Sequence, residues 1–361
     1  MGLPIKYTSF FSTICVSLLC TILSTHVQSN EEPRSLIVNN ENQLFTAITL
    51  ANKTGNTDII LTDGHYSVFN TLVISGDHIG LYSQSKDPQQ VIISGNGMRA
   101  SKKVDNLIRV SGKYFTLDGI TLEQAGNHLV QIAGEENADF PVLRNCILRD
   151  SYEQLFKVSY NRKTKVASDH GLIENCQFSY SAGIGPQYYI GGIDIHGGKN
   201  WTVKHNTFRN IASPSNHVAE HAIHFWNNTE HTLVDQNIII NCDRGIGFGL
   251  EGRPTLGGTI SNNLIIHSNN QHPYADAGII IEESPNTLVK NNKILLLHDY
   301  PNAIEYRFSN TTNVTISENL TNKAIRRRNG AQATVNNNQR SNLISDFLSD
   351  EQIKKWAFDA P

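Results

Sequence analysis

The residues best suited to chemistry lie between Lys157 and Arg307. The tract Gly192-Ile193-Asp194-Ile195-His196 sets a carboxylate two positions before an imidazole, and His221-Ala222-Ile223-His224-Phe225-Trp226 adds two more imidazoles and an indole. A neutral imidazole accepts a proton near neutral pH, and a neighbouring carboxylate orients the ring. Lys157 and the basic loop Arg162, Lys163 and Lys165 supply cations, and Tyr188 and Tyr189 supply phenolic protons. Base, acid and fixed cations together suit removal of a weakly acidic proton next to a carboxylate. On this reading the catalytic candidates are His196 or His224 as base, Lys157 with Arg162 as carboxylate neutralisers, Asp194 orienting His196, and Tyr188 or Tyr189 as acid. Candidates for contacting substrate are Arg162, Lys163, Tyr189, His221, Trp226, Arg244, Glu282 and Arg307. Three imidazoles near one Asp also suit zinc, yet their spacing matches no known zinc motif, so no residue is assigned as a metal ligand. The cofactor expectation is none, with room for a divalent cation such as calcium. The plainer alternative is a solvated face whose charges do no chemistry.

Those residues converge only if the chain repeats. A β-branched residue, two variable positions, Asn and an aliphatic or Phe recur at Asn145, Asn175, Asn206, Asn237, Asn263, Asn292 and Asn319, spaced 26 to 31 residues apart. Short β-rich segments with a variable period of this size predict an all-β, right-handed parallel β-helix of about ten coils, one repeat per coil. Asn145, Asn175, Asn206, Asn237, Asn263 and Asn292 are expected to stack in one column. A second repeat, including Leu155-Phe156-Lys157-Val158, Gly192-Ile193-Asp194-Ile195, Ala222-Ile223-His224-Phe225 and Gly245-Ile246-Gly247-Phe248, alternates core and outward positions. It predicts an outward column Arg109, Gln131, Lys157, Asp194, His224, Gly247, Ile280, Glu305. Two residues on comes a second: Ser111, Ala133, Ser159, His196, Trp226, Gly249, Glu282, Arg307. Trp226 is expected to be a stacking platform, and Gly247 and Gly249 to open the floor of a groove. Three long insertions, at residues 161–170, 181–189 and 212–220, border this stretch and are expected to wall a binding site. Residues 41–51 have helical spacing of Leu44, Phe45, Ile48 and Leu50 and predict a cap over the first coil; the amphipathic residues 341–356 predict a candidate cap at the other end.

Composition narrows the partners. A formal charge of −3 argues against a nucleic-acid binder that works through overall positive charge. Residues 1–29 read as an export signal: Lys6, an uncharged run from Phe10 to Leu23, and small residues around Val27-Gln28-Ser29. The expectation is a secreted or periplasmic monomer, with a β-helix domain at 30–340 and a tail at 341–361, not held in a membrane after signal removal. Five cysteines then become three, Cys146, Cys176 and Cys242, an odd set expected to be buried thiols.

The Asn ladder, the N-terminal helix and the tract Asp58-Ile59-Ile60-Leu61-Thr62-Asp63-Gly64-His65-Tyr66 resemble secreted right-handed parallel β-helix proteins of the pectate-lyase-like superfamily over residues 35–340. That superfamily hosts lyases, hydrolases, epimerases, esterases and adhesins. Within it, Asp194-Ile195-His196 resembles the Asp-Pro-His-Asp motif of mannuronan C-5-epimerases, where the His is a proposed base; here Ile195 replaces Pro and Gly197 replaces the second Asp. The Asp cluster of polygalacturonase-like hydrolases and the Arg-x-Pro-x-x-Arg of pectate lyases are missing. Alginate and chondroitin lyases of this fold use a Lys and Arg pair with calcium, and Lys157 matches the first role. The resemblance implies an exported enzyme that removes the proton beside a uronate carboxylate in an acidic polysaccharide. It implies β-elimination first, C-5 epimerisation as the alternative on the same substrate class, and a non-catalytic glycan-binding β-helix as the rival class.

Overall fold

Each repeat folds into three short strands, and each strand pairs in parallel with its counterparts one repeat earlier and one later. Three parallel sheets of twelve, ten and eleven strands result, wound as a right-handed parallel β-helix. The computed structural model describes residues 1–2, 32–99, 106–268 and 274–357, so nearly all of the expected signal at 1–29 lies outside the described residues. No helix among the described residues is long and apolar enough to cross a membrane. Strand alternation fills the interior: Ile193 and Ile195, Ile223 and Phe225, Ile246 and Phe248, and Ile279 and Ile281 are all fully buried. A fully buried side chain of this size contributes roughly 1.5–3 kcal/mol of transfer free energy, and the stack repeats that gain coil after coil.

The Asn column exists, but in a different phase from the one expected. Register pairs Leu143 with Ile173, Ile173 with Val203 and Val203 with Val234, which places Cys146 and Cys176, not Asn145 and Asn175, in line with Asn206. Asn145 and Asn175 sit one residue earlier, exposed and in the left-handed conformation at φ 55°. Asn is favoured at both places for different reasons. At the first its short polar side chain tolerates positive φ; at the second its amide has both donors and acceptors to satisfy in a buried turn. In the true ladder the Oδ1 of Asn263 accepts from the backbone N–H of Asn237 (2.9 Å) and from its Nδ2 (3.0 Å). Asn263 Nδ2 in turn donates to Val234 O (3.0 Å) and Asn292 Oδ1 (2.9 Å). The ladder continues past Asn319 to Asn338, one coil beyond the repeats seen in the sequence. At its other end the Cys146 N–H donates to Cys176 Sγ at 3.4 Å and the Cys176 N–H to Asn206 Oδ1 at 2.8 Å, so the thiols occupy ladder positions as free cysteines. Burial pushes the Cys242 thiol up to about 12.

The helix Glu41–Thr54 packs on the first coil through Leu44, Ala47, Ile48 and Ala51, and the Asn40 side chain caps it by accepting from Gln43 N at 3.0 Å. Leu50, expected on its apolar face, is exposed. The tail differs from the expected terminal cap. Its helices Ile344–Phe347 and Asp350–Ala357 lie against the side of the eleven-stranded sheet, where Phe347, Leu348 and Ile353 cover the outward residues Leu264, Ile266, Leu295 and Leu320. The last coil instead carries exposed charge at Arg327 and Arg328, which discourages edge-to-edge pairing.

Asn263→Ala removes four hydrogen bonds and orphans the buried Asn237 N–H, so it should cost about 3 kcal/mol or more. Asn145→Gly keeps a residue that accepts positive φ and should stay within about 0.5 kcal/mol of wild type. Urea denaturation of the two variants checks this, and equal losses would contradict the assigned phase.

Candidate active site

Three adjacent strands of the ten-stranded sheet, Phe156–Val158, Ile193–His196 and His221–Trp226, set Lys157 opposite Asp194, Asp194 opposite His224, and His196 opposite Trp226. Both outward columns are thus those the alternation predicts. Asp194 is the centre of the cluster. Its Oδ2 accepts from Lys157 Nζ and lies 3.3 Å from His196 Nε2, and its Oδ1 accepts from the Trp226 indole N–H (2.6 Å). Lys157 Nζ and His196 Nε2 face each other at 2.9 Å. Burial alone would raise the Asp194 pKa, but the Lys157 charge and then His196 outweigh it and hold the carboxyl well below its usual range. The carboxylate is therefore held as a buried anion at neutral pH. His196 is lowered, first by burial, with Asp194 opposing and Lys157 and Arg162 adding to the effect, so the ring is neutral at neutral pH.

Sequence reasoning missed Asn227. This buried residue, at φ 58° just past the strand, accepts from Arg162 Nη2 through Oδ1 (2.9 Å) and presents Nδ2 to His196 Nδ1 (2.7 Å). Asn227 thus fixes the imidazole from its Nδ1 side and leaves Nε2 turned toward Asp194 and Lys157. A relay Arg162–Asn227–His196–Asp194 follows. The sequence signal was the Asn227-Asn228 turn directly after an outward Trp. Tyr160 was missed as well: its ring lies over Gly197, where a Cβ would come within 2.3 Å of it. That contact, and a φ of 74°, leave no room at residue 197 for the side chain that the epimerase motif carries as its second Asp.

Several expectations need correction. Trp226 is 9% exposed, with His196 at its edge, His224 stacked on it at 5.1 Å and Arg253 over it at 4.7 Å, so it is an internal wall and not a stacking platform. His224 is buried, its Nε2 donating to Gly249 O at 3.0 Å, which removes it as a base that meets substrate. Gly247 does not open a groove, because the His221 imidazole lies over it; a Cβ there would come 2.6 Å from Nε2. Glu282 and Arg307 pair with each other (2.6 Å), and Arg307 also binds Glu305, which Arg328 reaches too. Arg244 pairs with Asp276 at 3.4 Å. These charges belong to ion pairs on later coils and are spent there. Lys163 is exposed beside Arg162. Tyr188 packs on His217 at 5.1 Å, and burial raises the phenol of the half-exposed Tyr189. A concavity lined by Asp58, Tyr82, Gln84, Lys86 and Asp118 lies on a different sheet and gathers no histidine.

The family described as right-handed β-helix region matches residues 191–345. No curated protein sequence matches significantly. Among solved structures, an alginate lyase from Paenibacillus sp. str. FPU-7 aligns with a TM-score of 0.60 at 14% identity, over 84% of this chain and 99% of that one. A mannuronic acid specific polysaccharide family 6 lyase from human gut microbiota aligns at 0.50 and 14% identity, over 89% and 90%. The tailspike of E. coli bacteriophage HK620, solved with a pentasaccharide, aligns at 0.54 and 12% identity, over 85% of this chain and 58% of its own. At these identities the likeness is one of fold.

Burial lowers His128 to about 3, with the Lys157 charge adding to the effect, and it lowers His196 too. The folded state therefore binds fewer protons than the unfolded chain below about pH 6.5, and stability must fall as pH drops through that value, by up to about 1.4 kcal/mol per pH unit per histidine. Urea midpoints measured from pH 7.5 to 5 should decline, and less steeply in His128→Asn. A flat wild-type profile would contradict this.

Proposed function

We propose that this chain is an exported carbohydrate-active enzyme that abstracts the proton beside the carboxylate of a uronate in an acidic polysaccharide, with β-elimination as the outcome. The observation that carries the reading is the Lys157–His196 pair, two nitrogens 2.9 Å apart and each partly open, above the buried Asp194 carboxylate. A uronate C5 proton is weakly acidic, so its removal needs a base close by and a cation where the carboxylate gains charge. The Lys157–His196 pair takes the proton, and the Asp194 anion stabilises the cation that forms. Exposed Arg162, fixed by Asn227, meets the substrate carboxylate. Tyr189, half-exposed at the end of the 181–189 insertion, protonates the departing glycosidic oxygen. The similarity of the fold to those of an alginate lyase and a mannuronic acid specific polysaccharide lyase supports the substrate class. Epimerisation would need the carbanion reprotonated on the opposite face, and the Tyr160 ring over Gly197 closes the position where the epimerase-like motif carries its second Asp.

Incubation with alginate, pectate and glycosaminoglycans should give unsaturated products absorbing at about 232 nm with at least one of them. Lys157→Ala and His196→Ala should each lower kcat/KM by roughly 100-fold or more with folding retained, and Asn227→Ala by about 10-fold through loss of ring orientation. With His196 lowered, the acid limb of the kcat/KM profile should lie below pH 6.5. Unimpaired turnover in both Lys157→Ala and His196→Ala would refute the assignment.

A further inference from the structure

One coil beyond the Lys157–His196 pair, three side chains converge that the proposed reaction does not use. Glu220, His221 and His224 each bring a ligand atom within 4.8 Å of the others. His221 is buried with neither ring nitrogen hydrogen-bonded. A buried imidazole with no partner is unfavourable unless something else satisfies it. His224 donates from Nε2 to Gly249 O at 3.0 Å, which leaves its Nδ1 as a lone-pair donor. Metal-ligating histidines characteristically bond their second nitrogen in this way, and the bond fixes both tautomer and ring direction. Gly247 makes the room: any Cβ there would collide with His221 Nε2. Glu220 closes the 212–220 insertion, its N–H tied to Ile190 O at 2.9 Å and its side chain partly open to solvent. Arg244 lies opposite His221 in the register, but its charge is met by Asp276.

We propose that Glu220, His221 and His224 form a binding site for one divalent transition-metal cation of the zinc class. Two imidazoles and one carboxylate, with the Glu220 side open, are the three-ligand set of a zinc site that keeps a free coordination position. Calcium and magnesium prefer all-oxygen cages, so the nitrogen pair selects against them. Burial keeps both imidazoles neutral, the form that coordinates. The site stands independently of what the neighbouring pair acts on.

The test is titration of chelator-stripped full-length protein with Co2+, read by visible absorption. Wild type should bind one Co2+ per chain, with d–d bands at roughly 500–650 nm that Zn2+ abolishes and millimolar Ca2+ leaves unchanged. His221→Ala should lose the bands. Glu220→Gln, a change at a partly open side chain, should weaken Co2+ binding by about 10-fold or more and keeps the test valid if the histidine variant does not fold. His196→Ala should bind Co2+ as wild type does. No bands in wild type, or bands of unchanged affinity in Glu220→Gln, would overturn the site.

Discussion

Everything in this molecule depends on parallel coils holding one register at about 4.8 Å spacing. That register is fixed by the buried Asn ladder, in which each amide bonds both neighbouring coils, as Asn237, Asn263 and Asn292 do. A slip of one residue would turn core side chains outward along a whole coil, so the ladder and the alternating Ile and Phe interior enforce the same alignment. The consequence for function is direct. Lys157 comes from one repeat and Asp194 and His196 from the next, 37 or more residues on, and only a fixed register brings their polar atoms to hydrogen-bond distance.

Within that frame the site is built around one buried charge. Asp194 accepts from Lys157 and Trp226 and faces His196, and its carboxylate could not stay buried without them. Asn227 and Arg162 then set the imidazole from its other side. The two halves of the cluster have different jobs. The Lys157–His196 edge is partly open and can meet a ligand, whereas Trp226 and His224 form the packed wall behind it. His221, one step deeper, has no protein partner for either ring nitrogen, and that is why a metal is inferred there and not at the open edge.

The periodicity of 26 to 31 residues made the solenoid legible in the sequence, and strand alternation correctly placed Lys157, Asp194 and His224 in one column with His196 and Trp226 in the next. What it could not give was depth. Whether an outward indole is covered depends on what lies across it, here Arg253 and two imidazoles, and no period encodes that. The phase of the Asn ladder was obscured because two adjacent turn positions both favour Asn, one for its tolerance of positive φ and one for its amide. Asn227 escaped notice for a related reason: a turn Asn usually serves the backbone, and its role here arises from a bond to Arg162, 65 residues earlier.

The central claim is that the Lys157–His196 pair above Asp194 removes a proton from the carbon beside a uronate carboxylate. Proton NMR of an alginate, pectate or glycosaminoglycan substrate incubated with the protein in D2O tests it most directly, because elimination and epimerisation both begin by removing H5. The account predicts loss of the H5 resonance with wild type, with appearance of a vinylic H4 signal if elimination follows, and an unchanged H5 with Lys157→Ala and His196→Ala. Retention of H5 on all of these substrates with folded wild-type protein would contradict it and leave a β-helix that binds glycan without altering it.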